Sequence, residues 1–290
     1  MAEWINTILQ GVLLGGLYAL FAAGLSLSFG VMRMINIAHG DMIVFAGYAA
    51  VFVVQVLGWP WQVAFVVVVP ALALLGYAAQ RFAFNRTLGG DVLRPLLLTF
   101  GLSIVIQNAL LQVFSADVRG LDIGPLATAT WDLGHDIAFG VLPMLVMATA
   151  VATIAALQWL FRQTRAGRSF RATSDDPGTA SLMGVDRQHV YALAMAIASA
   201  VVALAGVFLV MRTTISPSDG PARLLYSFEA VIIGGLGSLW GTLAGGVILG
   251  VAQAIGAKLN PGWGVLFGHL AFLIVLALRP QGLFPKTRDP

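Results

Sequence analysis

Few side chains in this sequence could do chemistry, and they lie far apart. The densest group is Asn36-Ile-Ala-His39-Gly-Asp41, a histidine and a carboxylate two positions apart at the start of an apolar run. At the cytoplasmic entry of a membrane span such a pair reads in two ways. It could relay protons, since an ionisable residue inside a span costs roughly 2.5 to 3.5 kcal/mol on insertion scales. The reading we prefer has Asp41 capping the N-terminus of the span, where the helix dipole favours an anion, with His39 at the membrane interface. Glu229 follows Pro221 and Ser227; it suits a helix-terminus carboxylate facing a cavity and a group that meets an ammonium equally well. His269 stands alone on an apolar run, where a hydrogen bond to a neighbouring helix is a better reading than metal ligation. Ser103, Gln107 and Asn108 add neutral polar groups.

The missing patterns narrow the chemistry further. Lys258 and Lys286 are the only lysines and neither follows glycine, so there is no Gly-x-x-x-x-Gly-Lys-Ser/Thr phosphate loop. The chain is therefore expected not to hydrolyse ATP itself. It holds no His-Glu-x-x-His, no Gly-x-Ser-x-Gly and no two-histidine metal spacing. It also has no cysteine, which removes disulfides, thiolate metal sites and cysteine nucleophiles together. No catalytic residue, metal site or cofactor of its own is expected.

The most informative polar interval runs from Phe161 to His189. Arg162, Arg165, Arg168 and Arg171 precede Thr173-Ser-Asp-Asp176-Pro177, and the interval's apolar positions end at Leu182, Met183 and Gly184. An acidic N-cap at Asp176, proline at the first helical position and glycine just past the end specify both termini of a helix about seven residues long. Isolated helices below roughly 12 to 15 residues are marginal in water. This one needs packing from outside, with Ala180, Leu182 and Met183 as its apolar contacts, and the flanking apolar spans make another protein at the membrane surface the expected support.

The elements around these residues are membrane spans. With 59% hydrophobic and 10% charged residues and a mean hydropathy of +0.88, the chain is no soluble domain, where charged residues make up roughly a quarter. Its net charge of +3 and pI near 9.6 do not point to nucleic acid, because the basic residues fall in short loops and form no stripe. The run from about Trp4 to Gly30 has no basic n-region, only Glu3, and is too long for a secretory h-region; it reads as a retained first span. Runs near the roughly 20 residues a bilayer requires lie at about 5–30, 39–57, 61–83, 94–114, 138–160, 189–211 and 263–279. The region 225–257 is too long for one span and rich in glycine, and reads as two pieces broken near Gly237 to Gly241, entering and leaving on one face. Gly237, Gly241 and Gly245, and also Gly246 and Gly250, repeat at four-residue spacing, which favours close helix packing over a direct substrate role. Of the 16 basic residues, 12 fall on one side, and only Arg119, Arg212, Arg223 and Lys258 on the other. The richer side is cytoplasmic by the positive-inside rule, which puts the N-terminus and the acidic loop of Asp117, Asp122, Asp132 and Asp136 outside and the C-terminus inside. The expectation is an all-α, polytopic transmembrane bundle, a single permease domain over 1–290, with about seven full spans and a broken or re-entrant pair near the C-terminus.

Three segments, in order, carry a specific resemblance: Asn36-Ile-Ala-His-Gly-Asp41; Gly167-Arg-Ser-Phe-Arg-Ala172 with Ala180-Ser-Leu-Met-Gly-Val185; and Val231-Ile-Ile-Gly-Gly-Leu-Gly-Ser238 with Gly241. They resemble the membrane permeases of high-affinity branched-chain amino acid ABC importers, the Liv type, along nearly the whole chain. The resemblance implies a subunit of the bacterial inner membrane that pairs with a second homologous permease, two ATP-binding subunits that hold the ATP and magnesium, and an extracytoplasmic solute-binding protein. The helix at 176–183, within a cytoplasmic loop of about 162–188, is then the coupling helix. Arg168, Arg171, Asp176, Ala180, Leu182, Met183 and Gly184 would form the coupling site. Asn36, His39, Asp41, Gln107, Asn108, Glu229, Gly234, Gly235 and Gly237 would border the substrate path. Relatives of the family import urea, short amides and aromatic acids, so the implied substrate is a branched-chain or related amino acid, with other small polar solutes open. The competing reading is a self-sufficient ion-coupled transporter or channel working through Asp41, His39 or Glu229, which would have no need of a capped docking helix.

Overall fold

Backbone polar groups at bilayer depth have no water to bond, so apolar runs of this length close their hydrogen bonds within helices. The computed structural model describes residues 2–88, 93–132 and 138–284; Asp136, Lys286 and Arg288 lie outside them. Seven of the described helices are long and apolar enough to cross a membrane. They are α1 (Ala2–Met32), α2 (His39–Val51, continued to Val56 by a looser π-helical turn), α3 (Trp61–Phe82), α4 (Leu93–Phe114), α5 (Val141–Gln163), α8 (Arg187–Arg212) and α10 (Leu239–Leu259). Between α5 and α8 lie α6 (Arg165–Asp175) and α7 (Pro177–Leu182), and α9 (Gly220–Gly234) and α11 (Gly264–Leu278) are shorter apolar helices. A small antiparallel pair, β1 (Thr130–Asp132) and β2 (Ala138–Gly140), takes up the first residues of the expected 138–160 run.

Two expectations change. The run at 263–279 forms only 15 helical residues, because the turn Asn260-Pro-Gly-Trp263 starts it late and Arg279-Pro280 ends it. The region 225–257 instead supplies a full-length helix, α10, and its break falls at Gly235–Ser238, so Gly241 lies inside the helix.

The chain divides into two compact units. One comprises residues 24–121 and 155–225, and α8 serves as its ruler. Gly24 of α1 packs on the Ala198 carbonyl and the His39 ring, and Gly206 of α8 packs on Ile43 and Gly47 of α2. Helix α2 thus starts level with Ala198, which is 11 residues, about 16 Å of helix, beyond the start of α8 at Arg187. Residues 33–38 turn back from the end of α1 to reach that depth. At one end of this unit the Arg33 guanidinium donates to the Ser174 carbonyl (3.1 Å), and Arg81 pairs with Asp186 (3.7 Å). At the other end Arg119 and Ile215 exchange backbone hydrogen bonds (2.9 and 2.8 Å). Within this unit Arg33 and Arg81 thus lie at one end and Arg119 at the other.

The second unit comprises residues 1–23, 122–154 and 226–290, and α10 is its hub. Gly241 and Gly245 meet the backbone of α9 at Gly234 and Ala230, making α9 and α10 an antiparallel hairpin. Gly246 and Gly250, on another face, meet α1 at Ala19, Gly15 and Gly11. The hairpin turns through Gly235 (φ +102°) and Gly237 (φ +79°), left-handed conformations that other residues rarely adopt. Ser238 then caps α10 by accepting from Gly241 N–H (3.2 Å). The chain returns after α11 to close the tip: Leu283 and Phe284 N–H donate to the Ile233 and Gly234 carbonyls (2.9 and 3.0 Å), two of the orphan acceptors at the end of α9.

Candidate functional site

Helix α7 has the caps its sequence specifies. Asp176 Oδ1 accepts from Gly178 N–H (2.9 Å) and Thr179 N–H (3.1 Å), Pro177 occupies the first turn, and Gly184 ends the segment at φ +85°. The Thr179 hydroxyl first, and those two amides after it, hold the Asp176 carboxyl below the usual carboxylate range. The helix is not isolated within the chain. Helix α6, which is poor in apolar residues but buries Gly167, Phe170, Thr173 and Ser174 at helical spacing, is capped by the Thr164 hydroxyl accepting from Gly167 N–H (3.0 Å), and it folds back on α5 with Gly167 against Leu160 and Phe170 against Phe161. Ala180 of α7 is turned inward and buried, so it serves α7's own seating and not an external contact. Leu182 and Met183 are 88% and 81% exposed, two large apolar side chains at the tip of the segment. Arg168 is exposed and Arg171 half-buried on α6.

Asp41 stands in the N-terminal turn of α2, as the sequence reading put it, but deep in the unit and not at the membrane surface. It lies at mid-depth, 2% exposed, in the first turn of α2, and its side chain does not turn to solvent at the end of the span. Instead Ser103 Oγ donates to Oδ2 (2.5 Å) and Gln107 Nε2 to Oδ1 (2.9 Å), both from the middle of α4. Gly220, the first residue of α9, packs directly on the same carboxylate, where any side chain would collide with it. Two helix N-termini therefore converge on one carboxyl group, each favouring negative charge there through its dipole. His39 is buried in the unit, not placed at an interface, and Asn36 is buried with it, its Oδ1 accepting from Ala38 N–H (3.1 Å). Thr99 Oγ1 accepts from Ile37 N–H (3.2 Å), pinning the returning stretch to α4.

In the other unit Glu229 of α9, 1% exposed, is hydrogen bonded to Nδ1 of His269 on α11. The histidine thus bonds a neighbouring helix, as expected, and no cluster of three metal-ligating side chains occurs among the described residues. Tyr226 stacks on His269 (6.4 Å between centroids) and packs against Tyr18 (5.2 Å), whose hydroxyl donates to Gln253 Oε1 (2.5 Å). Glu229 Oε2 meets no donor among the described residues.

Residues 7–277 match the family described as branched-chain amino acid transport system, permease component. The chain belongs to that permease family. It is 30% identical to the high-affinity branched-chain amino acid transport system permease protein BraD of Pseudomonas aeruginosa, over 98% of this chain and 96% of that one. It is 29% identical to the permease protein LivH of Escherichia coli K12, again over 98% and 96%. A solved structure, PsaBC from Streptococcus pneumoniae in complex with Fab, shares the fold at a TM-score of 0.52 and 16% identity, over 97% of this chain and 96% of that one.

For a multi-pass permease the remaining sequence-predicted positions sort cleanly. Gln107 joins Asp41. Asn108 does not: it is exposed on the opposite side of α4, its amide donating to the Ile104 carbonyl of its own helix (2.8 Å). Gly234, Gly235 and Gly237 build the α9–α10 turn, with Gly234 against Gly241 and Gly235 beneath Gly282. Tyr18, Tyr226 and Gln253 went unnoticed in the sequence, because nothing local distinguishes an aromatic or amide that will meet another helix from one that faces lipid.

Proposed function

We propose that this permease is the membrane subunit of an ABC importer that moves branched-chain or closely related amino acids to the cytoplasm. An extracytoplasmic binding protein delivers the substrate, a second homologous permease completes the membrane part, and two ATP-binding subunits supply the energy and hold the ATP and magnesium. The N-terminus is outside and the C-terminus cytoplasmic, in accord with the segregation of basic residues. The observation that carries this reading is α7: a helix capped at both ends that offers Leu182 and Met183 to a partner. Asn36, His39, Asp41 and Gln107 in one unit and Glu229 in the other are the polar groups assigned to the substrate path. In the reconstituted complex, Leu182→Asp or Met183→Asp puts a charge into the contact, which is costly unless paired. Substrate-stimulated ATP hydrolysis and recovery of the ATP-binding subunits in pull-down should both fall while the permease still inserts; unchanged values for both would remove α7 as the docking element.

One observation favours the ion-coupled alternative, namely Asp41 at mid-depth, where pumps and transporters keep their carboxylates. Two donors and two helix N-termini already satisfy that anion, which suits a joint between broken helices better than a shuttle. Uptake by the permease without any ATP-binding subunit would decide for the alternative.

A further inference from the structure

Side chains from four helices close a polar cluster inside the second unit: Tyr18 of α1, Tyr226 and Glu229 of α9, Gln253 of α10 and His269 of α11. The His269 imidazole holds Glu229 Oε1, Tyr226 stacks on that imidazole and packs against Tyr18, and the Tyr18 hydroxyl reaches Gln253 Oε1. Gly268, the residue before His269, packs on the Gln253 amide and so brings α10 back to α11. Two buried atoms of the cluster have no partner among the described residues: Glu229 Oε2, an acceptor, and Gln253 Nε2, a donor. Tyr226 and His269 are only half-buried and form its rim.

An ionised carboxylate at 1% exposure is costly unless a cation meets it. Among the described residues of this unit the lysine and arginine are Lys258, whose Nζ sits on Glu3 (3.1 Å), and Arg279, ten residues past His269 and about 15 Å of helix away. Neither serves Glu229. An imidazole that donates Nδ1–H satisfies one carboxylate oxygen and leaves the charge in place. Aromatic faces beside a carboxylate suit an ammonium, which the ring quadrupole and the free oxygen attract together. A molecule that carries an ammonium and an oxygen acceptor answers both orphaned atoms. We propose that this cluster is a binding site for a primary ammonium group, which lodges on Glu229 Oε2 beside the Tyr226 ring. The proposal rests on the import reading above and narrows its substrate class: the solute is chosen by its cationic amino group, and urea and neutral amides are disfavoured.

The test reads the melting temperature of the complete complex in detergent, at constant ionic strength, against isopentylammonium, the similarly sized neutral isovaleramide, and sodium ion. The wild type should melt several degrees higher with isopentylammonium and shift far less with the other two. Glu229→Gln keeps the size and an acceptor for His269 but loses the charge. It should raise the isopentylammonium concentration required about tenfold or more, the worth of a hydrogen bond to a charged group. Tyr226→Leu should weaken the response severalfold, whereas Tyr226→Phe keeps the ring face and should retain most of it. No shift in the wild type, an equal shift from isovaleramide or sodium, or an unchanged response in Glu229→Gln would overturn the site. Should Glu229→Gln fail to assemble, equal responses of Tyr226→Leu and Tyr226→Phe would decide against it. ATP-driven leucine uptake, measured alongside, separates the two claims: a complex that imports leucine yet gives no isopentylammonium shift refutes the site and leaves the transport reading standing.

Discussion

The hub of one unit and the joint of the other bring backbone segments into close contact by opposite means. Around α10 the contacts are made of absence: glycines at 241 and 245 admit α9, glycines at 246 and 250 admit α1, and the nearest atoms across both approaches are mainly backbone. At the start of α2 the contacts are made of charge and hydrogen bonds, with Asp41 joining α2 to α4 through Ser103 and Gln107 while Gly220 lays α9 against it. A glycine contact is short-ranged and has one good geometry, so it fixes the hairpin. A carboxylate with several acceptor sites can exchange donors as helices shift, and it is at a joint between broken helices that a transporter needs such exchange. The difference therefore separates a contact set by backbone fit from one set by hydrogen bonding.

The comparison breaks most readily at the hub. A Cβ on Gly245 would run into the Ala230 carbonyl, which is backbone and has no rotamer to yield. Gly245→Leu should cost about 3 kcal/mol or more, at or above the upper end for overpacked interiors, and appear as lost folded yield and a lower melting temperature in detergent. Wild-type yield and melting would mean that α9 and α10 do not touch along this line.

At the joint the expected effects are smaller and coupled. Asp41→Leu leaves the Ser103 hydroxyl without its acceptor and the Gln107 amide with only the Ser103 oxygen (3.2 Å), a loss of about 1 to 3 kcal/mol for buried groups. Asp41→Asn, which keeps one acceptor, should cost less while uptake still falls, because the charge that the two helix N-termini hold is gone. Ser103→Ala alone should cost about 1 kcal/mol, and added to Asp41→Leu it should cost less, since of its two side-chain bonds only the one accepted from Gln107 is left to lose. Additive penalties in that double-mutant cycle would show that the two side chains act independently.

What was legible in the sequence follows the range of the interaction. The caps of α7 are contacts within three residues, so Asp176-Pro177 and Gly184 could be read directly. The glycine spacing revealed close packing but not which partner met which face, because 241 and 245 differ from 246 and 250 only by rotation about α10. Gly237 shared the spacing and serves a turn. The depth of Asp41 was illegible: hydropathy registers an apolar run and not where in the bilayer the run begins, and the return of residues 33–38 is set by packing against α8 and by Thr99. The available signal was the length of α1, 31 residues or about 46 Å, well beyond a hydrocarbon layer of about 30 Å. Asn108 was grouped with Gln107 by adjacency, although neighbouring residues on a helix point about 100° apart.

The smallest effect concerns α7, whose cap is a charge held at the surface and so lies between the two extremes of hub and joint. The Asp176 carboxyl is held below its ordinary range by Thr179 and Gly178, so its contribution to the helix is fully present above the unfolded carboxylate range near pH 4. It is lost only as pH falls through the lowered value. Between pH 6 and 8 the coupling of ATP hydrolysis to transport should consequently not vary on account of this group. Asp176→Asn, which keeps an acceptor for the same amides, should retain most of the coupling across that window, whereas Asp176→Ala should reduce it by a modest factor at every pH. Recovery of the Asp176→Ala variant at pH 6, or a pH dependence of the wild type that Asp176→Asn abolishes, would show that protonation of the cap and not its hydrogen bonding governs the helix.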